Sequence, residues 1–450
     1  MDRIGGDPGE AGGRALVLSR REVCTPVPAG GARRPRPDGI RSGMSLRDGH
    51  IAAIDGLRGV AVGLVLLFHS GVFGAGWVGV WIFFVISGFV IAGARIGEAA
   101  STLSFRERFF DFLSRRAFRI FPLYALIIVM GAVATAVTGE LGDQYLLQLA
   151  SLSTFTFNLL RMWSEYTHSF WSGHLWSLST EQQFYLLFPV VFFLTPRRWL
   201  PAVLIGVVLA SPLIRGVVSE IYSQVTPSQS GADVQAFRGQ AVYQFPLGHF
   251  DAFAFGVLLA LWRGPISQMR GVFTALCAAT VILWALFFWF MGRSGVFENP
   301  LLALHVNAYG GGAEIWRYSL LSLTACLAIC GTLRGVSLIE RPLAFKPLEY
   351  VGRISYGVYV FHFPVQWALT TFVFTSINYD HLPEAGALFA GMAILSTALA
   401  SLSFHYFETP MLRVGQEMRR GASLADAFKA GFASGERPAR TAAPPAGRNG

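Results

Sequence analysis

Apolar residues run in ten blocks along the chain, at 51–71, 78–97, 119–138, 176–195, 199–218, 245–263, 271–292, 314–333, 354–375 and 386–406. Each block approaches the ~20 residues that an α-helix needs to cross a bilayer. The pattern predicts an all-α polytopic membrane protein with about ten transmembrane helices. An eleventh apolar block, QYLLQLASLSTFTFNLL at 144–160, carries Gln148, Ser151, Ser153, Thr154, Thr156 and Asn158. Basic residues decide its placement. Arg106, Arg108, Arg115 and Arg116, then Arg197 and Arg198, Arg263 and Arg270, and finally Arg334, Arg341 and Lys346 lie in connections that should share the cytoplasmic side. They do so only if 144–160 does not span. That block is therefore expected to be re-entrant or interfacial on the outer side, with both termini cytoplasmic.

Composition sharpens this picture. Of 450 residues, 53% are hydrophobic and only 14% charged, with a mean hydropathy of +0.48. Soluble domains carry about 25% charged residues. The net charge of +9 reads as membrane topology; no nucleic-acid motif accompanies it. Residues 1–50, including GGARRPRPDG, lack apolar periodicity and are expected to form a disordered basic tail, with Met44 as an alternative start. Residues 51–410 make the membrane domain and 411–450 a polar basic tail. The cysteines Cys24, Cys277, Cys326 and Cys330 suggest no disulfide framework. Cys326 and Cys330 lie one helical turn apart with no histidine near them on that helix, so no metal site is expected.

The polar residues inside the apolar blocks carry the candidate chemistry. In IDGLRGVAVGLVLLFHSGVF, residues 54–73, Asp55, Arg58 and His69 fall within an arc of about 60° on one helix. Ionisable groups inside a membrane usually face an internal cavity. Asp55 and Arg58 have a plainer role as a helix-start ion pair, and His69 as a packed histidine. In FLSRRAFRIFPLY, Arg116 and Arg119 share a helical face and suit an anionic donor, although arginines here also serve as topological anchors. In GHLWSLSTEQQFYLLFPVV, Trp176, Ser177, Ser179 and Glu181 precede an aromatic run. An interfacial aromatic belt would explain the tryptophan alone. Ser355, Tyr359, His362 and Gln366 form one stripe of the ninth block, which Pro364 should kink. His249 with Asp251, and His405 with Glu408, are weaker candidates.

Taken together, the stretches DGLRGVAV…FH, GVWIFFVISGFVI, RRAFRIFPLY, WSLSTEQQFYLLFP, FDAFAFGVLLA, GRISYGVYVFHFPV and FHYFETPMLR resemble the membrane acyltransferase-3 family, bacterial O-acyltransferases of envelope polysaccharides and macrolides. The resemblance covers about residues 50–413. It implies ten spans in the bacterial inner membrane. It also implies transfer of an acyl group, commonly acetyl, from acetyl-CoA or another acyl-CoA to a hydroxyl of a carbohydrate or macrolide-like acceptor, with no metal. His69 is then the leading catalytic residue, with Glu181 near it. Arg116 and Arg119 are associated with the donor, joined by Arg58. Asp55, Tyr124, Trp176, Ser177 and His362 are supporting residues. Many members have an acid where this chain has Trp81, so Trp81 and the outer loop 219–244 are the expected seats of acceptor choice.

The mechanism expected from this reading has the arginines at the cytoplasmic rim, Glu181 at the outer rim and His69 on the path between them. A neutral His69 would take the proton of the acceptor hydroxyl, with Glu181 or the more distant Asp55 orienting it. Two other classes fit the composition. One is a transporter or exporter with a His/Asp/Glu path, which would not consume acetyl-CoA. The other is a scaffold whose histidine and arginines only hold helices together.

Overall fold

The computed structural model describes residues 52–433 apart from 97–102, 140–141, 143, 164–165, 167–168, 226–230, 307 and 380. The tail at 1–50, with Met44, lies outside the described residues. Among the described residues there is no strand. The helices are α1 (Ala52–His69), α2 (Val78–Arg95), α3 (Phe105–Thr138), α4 (Tyr145–Ser153), α5 (Phe157–Leu160), α6 (Trp176–Leu194), α7 (Leu200–Val225), α8 (Gly231–Gln244) and α9 (Phe250–Gln268). They continue as α10 (Arg270–Arg293), α11 (Ala313–Leu333), α12 (Ser337–Leu343), α13 (Lys346–Arg353), α14 (Ser355–Phe372), α15 (Leu382–Ser403), α16 (Thr409–Arg419) and α17 (Leu424–Phe432). A π-helical turn, Phe404–Glu408, joins α15 to α16, so helix continues across the expected start of the polar tail.

Every predicted block is helical, and seven helices are long and apolar enough to cross a membrane. An eighth qualifies if the pair Phe237–Gln244 and Pro246–Arg263, bent by 71°, counts as one span. Pro246 lies at that bend. The chain is thus a multi-pass membrane protein. Large apolar side chains line the outside of the bundle, among them Leu213, Val281 and Trp289, where lipid completes their burial.

Three boundaries differ from expectation. Helix α3 begins at Phe105, not near 119, because Ser104 caps it and Glu107 closes the capping box. The basic connection 106–116 is therefore helical. Most of the expected outer loop 219–244 is also helical, as the end of α7 and as α8. The block 144–160 breaks at Phe155, whose φ of 54° ends α4. Its two pieces, of 9 and 4 residues, are both too short to span ~30 Å of hydrocarbon. Gln148, Ser151 and Asn158 turn inward, while Ser153 and Thr154 stay exposed. Gln148 accepts from Tyr166 and from the Ser169 amide, and Asn158 bonds Gln183 and the Gln244 carbonyl.

Glycines set the closest helix contacts. A Cβ on Gly88 of α2 would lie 2.1 Å from the Phe253 carbonyl, and one on Gly256 of α9 2.1 Å from the Val85 carbonyl. Helices α1 and α13 meet in the same way through Gly59 and Gly352. Small residues let backbones approach where lipid offers no hydrophobic drive to association. Gly88→Val should force α2 from α9, and overpacking of this kind costs about 1–3 kcal/mol. Its melting temperature in nanodiscs, followed by tryptophan fluorescence, should fall clearly. Gly206→Val, at a position with nothing within 4 Å, should leave it near wild type.

Candidate active site

Five helices line one cavity of about 250 Å³; four supply most of its charged and hydroxylated side chains, and α2 closes it with a mainly apolar wall. Asp55 and Arg58 come from the first turns of α1. Arg116 and Arg119 come from one face of α3. Ser177, Glu181 and Tyr185 are spaced four apart on α6 and so share a face. Ser355, Tyr356 and Tyr359 come from α14. The wall on α2 includes Phe83, Phe84, Ile86 and Phe89, with Ser87 as its polar member.

The cavity's charges are arranged, not merely gathered. Glu181 accepts hydrogen bonds from Ser87 Oγ at 2.6 Å and from the Tyr185 hydroxyl. Arg58 stands 3.6 Å from Asp55 and within electrostatic reach of Arg119 and Glu181. The Arg116 guanidinium lies over the rings of Tyr185 and Phe112, at 5.9 and 6.0 Å, and its Nε has no hydrogen-bond partner. Three guanidiniums and two carboxylates line the cavity, and Glu408, which does not line it, lies within electrostatic reach of Arg58 and Arg119; guanidiniums that face open space suit an anion. The expectation that Glu181 lies at the opposite rim from the arginines is corrected: it shares their cavity.

His69 lies elsewhere. It ends α1, about 21 Å along the helix from Asp55, and does not line the cavity. Its ring centroid is 5.1 Å from His362, 4.7 Å from Phe363 and 4.9 Å from Phe68. Gln366 Nε2 donates to the His69 carbonyl at 2.7 Å. His174, just before α6, packs edge-on against His362 at 4.8 Å. Arg161 is within electrostatic reach of His69 and His174, and its guanidinium donates to the Gly173 carbonyl.

The stripe on α14 joins the two places. Ser355 and Tyr359 line the cavity, while His362 and Gln366 reach His69. Between them the Ser177 and Tyr359 hydroxyls lie 2.6 Å apart, and both reach the His174 carbonyl. Pro364 contributes directly. Pro364 has no N–H, so the Val360 carbonyl loses its helical partner, and His174 Nε2 takes it at 3.2 Å.

Other expected residues serve the frame. Tyr124 donates to the Leu152 carbonyl at 2.9 Å and stacks on Phe155, holding the broken segment. Trp176 packs on Tyr243. Trp81 is fully buried, stacked on Tyr318 at 4.8 Å and edge-on to His249, and lines no part of the cavity. Asp251 pairs with Arg215 at 3.0 Å, both fully buried. Among the described residues no group of three or more His, Cys, Asp or Glu is arranged to hold a metal. The sequence reading missed His174, Arg161, Tyr185 and Ser87. Only Tyr185 carried a signal, its four-residue spacing from Glu181.

Residues 51–405 match the acyltransferase domain family. The chain is 24% identical over 381 residues to the O-acetyltransferase OatA of Staphylococcus aureus, covering 81% of this chain and 58% of that protein. It is 27% identical over 387 residues to the peptidoglycan O-acetyltransferase OatA of Listeria monocytogenes, covering 81% of this chain and 56% of that one. The chain therefore spans less than two thirds of the length of these relatives. No solved structure matches it.

The buried hydroxyl pair should behave as one unit. Ser177→Ala and Tyr359→Phe should each lower the melting temperature, since each removes the buried bond between the two hydroxyls and one bond to the His174 carbonyl. The double variant should lose less than the two losses added, by a coupling of about 0.5–3 kcal/mol. Additive losses would mean that the pair does not interact.

Proposed function

The chain belongs to the acyltransferase domain family, and on that premise we propose that it is an integral-membrane O-acetyltransferase of the bacterial inner membrane. It takes an acetyl group from a coenzyme A thioester and passes it to a hydroxyl of a carbohydrate or a secreted small molecule. The relatives named as peptidoglycan O-acetyltransferases favour a glycan acceptor. The observation that carries the reading is the continuity of polar groups from the arginine cavity, through Ser177 and Tyr359, to His69.

In this mechanism Arg58, Arg116 and Arg119 hold anionic groups of the donor. Glu181, fixed by Ser87 and Tyr185, keeps the guanidiniums apart and limits the net charge. A cavity of about 250 Å³ takes part of a nucleotide-bearing thioester, so the rest of the donor extends beyond it. The acyl end runs past the Ser177–Tyr359 pair along α14. His69 takes the proton of the acceptor hydroxyl as its oxygen attacks the thioester carbonyl. The C–S bond then breaks, and the thiolate recovers the proton from the imidazolium.

Purified protein in nanodiscs, given acetyl-CoA labelled in the acetyl group and a glycan extract, should transfer label to the glycan. His69→Ala should lower the rate by about 10²–10⁴, the usual contribution of a general base. Arg116→Gln and Arg119→Gln should act mainly by raising the KM for acetyl-CoA. A folded His69→Ala protein with full transfer would refute the role of His69. Transport of a solute without thioester consumption would replace the reading with an exporter.

A further inference from the structure

A histidine acting as a general base needs its second nitrogen held, commonly by a carboxylate that fixes the tautomer. Among the described residues no carboxylate is bonded to His69. Asp55 lies at the other end of α1, and Glu181 is bound to Ser87 and Tyr185 in the cavity. The groups in electrostatic contact with His69 are His362 and Arg161, and a guanidinium cannot accept a proton.

His362 can. Its Nδ1 meets the Tyr359 carbonyl. A carbonyl only accepts, so Nδ1 carries the hydrogen. In a neutral ring that leaves Nε2 bare, as an acceptor. His362 is fully buried and its Nε2 has no hydrogen-bond partner. At 5.1 Å between ring centroids, a nitrogen of His69 turned toward that atom comes within hydrogen-bond reach, about 3 Å. His174 fixes the other side. Its Nε2 donates to the carbonyl freed by Pro364, and its ring packs edge-on to His362.

We infer that His362 is the positioning residue of His69: its bare Nε2 accepts the N–H of His69, so that the other nitrogen of His69 is turned to the acceptor hydroxyl. The pair is a neutral histidine dyad in place of a carboxylate–histidine pair. The proton removed from the hydroxyl stays on His69 until the thiolate takes it back, and His362 only shares the hydrogen that His69 already holds. This rests on the acyl-transfer reading.

The test is coenzyme A release from acetyl-CoA in nanodiscs, with water as acceptor. His362→Phe should lower kcat about tenfold, the worth of one hydrogen bond, with the KM for acetyl-CoA unchanged. His362→Gln places an oxygen near the site of Nε2 and should restore most of the loss. A kcat for His362→Phe equal to wild type, or a Gln variant as poor as Phe, would overturn the dyad. A second measurement needs no turnover. In wild-type protein labelled with ¹⁵N-histidine, the signals lost in His362→Phe should be those of a neutral ring bare at Nε2. A hydrogen on that nitrogen would overturn the inference even if turnover behaved as expected. A wild type that releases no coenzyme A sinks the acyl-transfer reading instead, and the ¹⁵N spectrum still decides the state of His362.

Discussion

A charge kept inside a bundle of apolar helices needs its partner built into the same fold, because neither lipid nor packed side chains will solvate it. The structure meets this demand in two ways. Arg215 and Asp251 neutralise each other, with Ser319 bonded to both. Arg317 donates to the carbonyls of Ala303, His305, Val306 and Ala308. Those charges are sealed in and hold helices. Around the cavity Arg58, Arg116 and Arg119 face open space instead, with Asp55 and Glu181 beside them. The same rule that makes two arginines structural makes the others available to a ligand.

Helix α14 turns that local imbalance into a connected site. A proline within a helix costs about 3 kcal/mol or more, through a lost hydrogen bond and a clash. Here the freed carbonyl of Val360 is taken by His174, so part of the loss is recovered as a tertiary contact. Pro364 also lies where the stripe passes from Tyr359, at the cavity, to Gln366, beside His69.

Much of this was legible in the sequence, for physical reasons. Runs of apolar residues located the helices. The spacing of Arg116 and Arg119 put them on one face, and the stripe at 355, 359, 362 and 366 was visible as a period. Among the ten predicted blocks, α6 and α14 fall short of the apolar standard for a span both alone and in a pair, and they carry Glu181 and His362. Polar residues needed for a site dilute the signal that marks a crossing. The depth of Glu181 was not legible, because its place near the start of a block says nothing of how deeply that helix end is set among its neighbours. Helix α3 misled for a related reason. Its first turns are charged, and only the cap at Ser104 reveals that they are helical. His174 lies outside any periodic segment, and its partner is 186 residues away. Contacts of that range come from packing, which no local pattern encodes.

Helix α10 has few neighbours inside the bundle. Its 24 residues begin at Arg270 and end at Arg293, a length of about 36 Å. The hydrocarbon core is ~30 Å thick. With a guanidinium moored at either end, such a helix meets the mismatch by tilting. Its tilt is held by packing on α9 and α11 and by those end arginines, within the slack that the lipid thickness leaves. Through its packing on α11, that angle bears on the helix from which Arg317 and Tyr318 reach the aromatic cluster around Trp81. A bilayer of another thickness loads that contact first, because α10 has the most lipid-facing surface and the least protein to brace it.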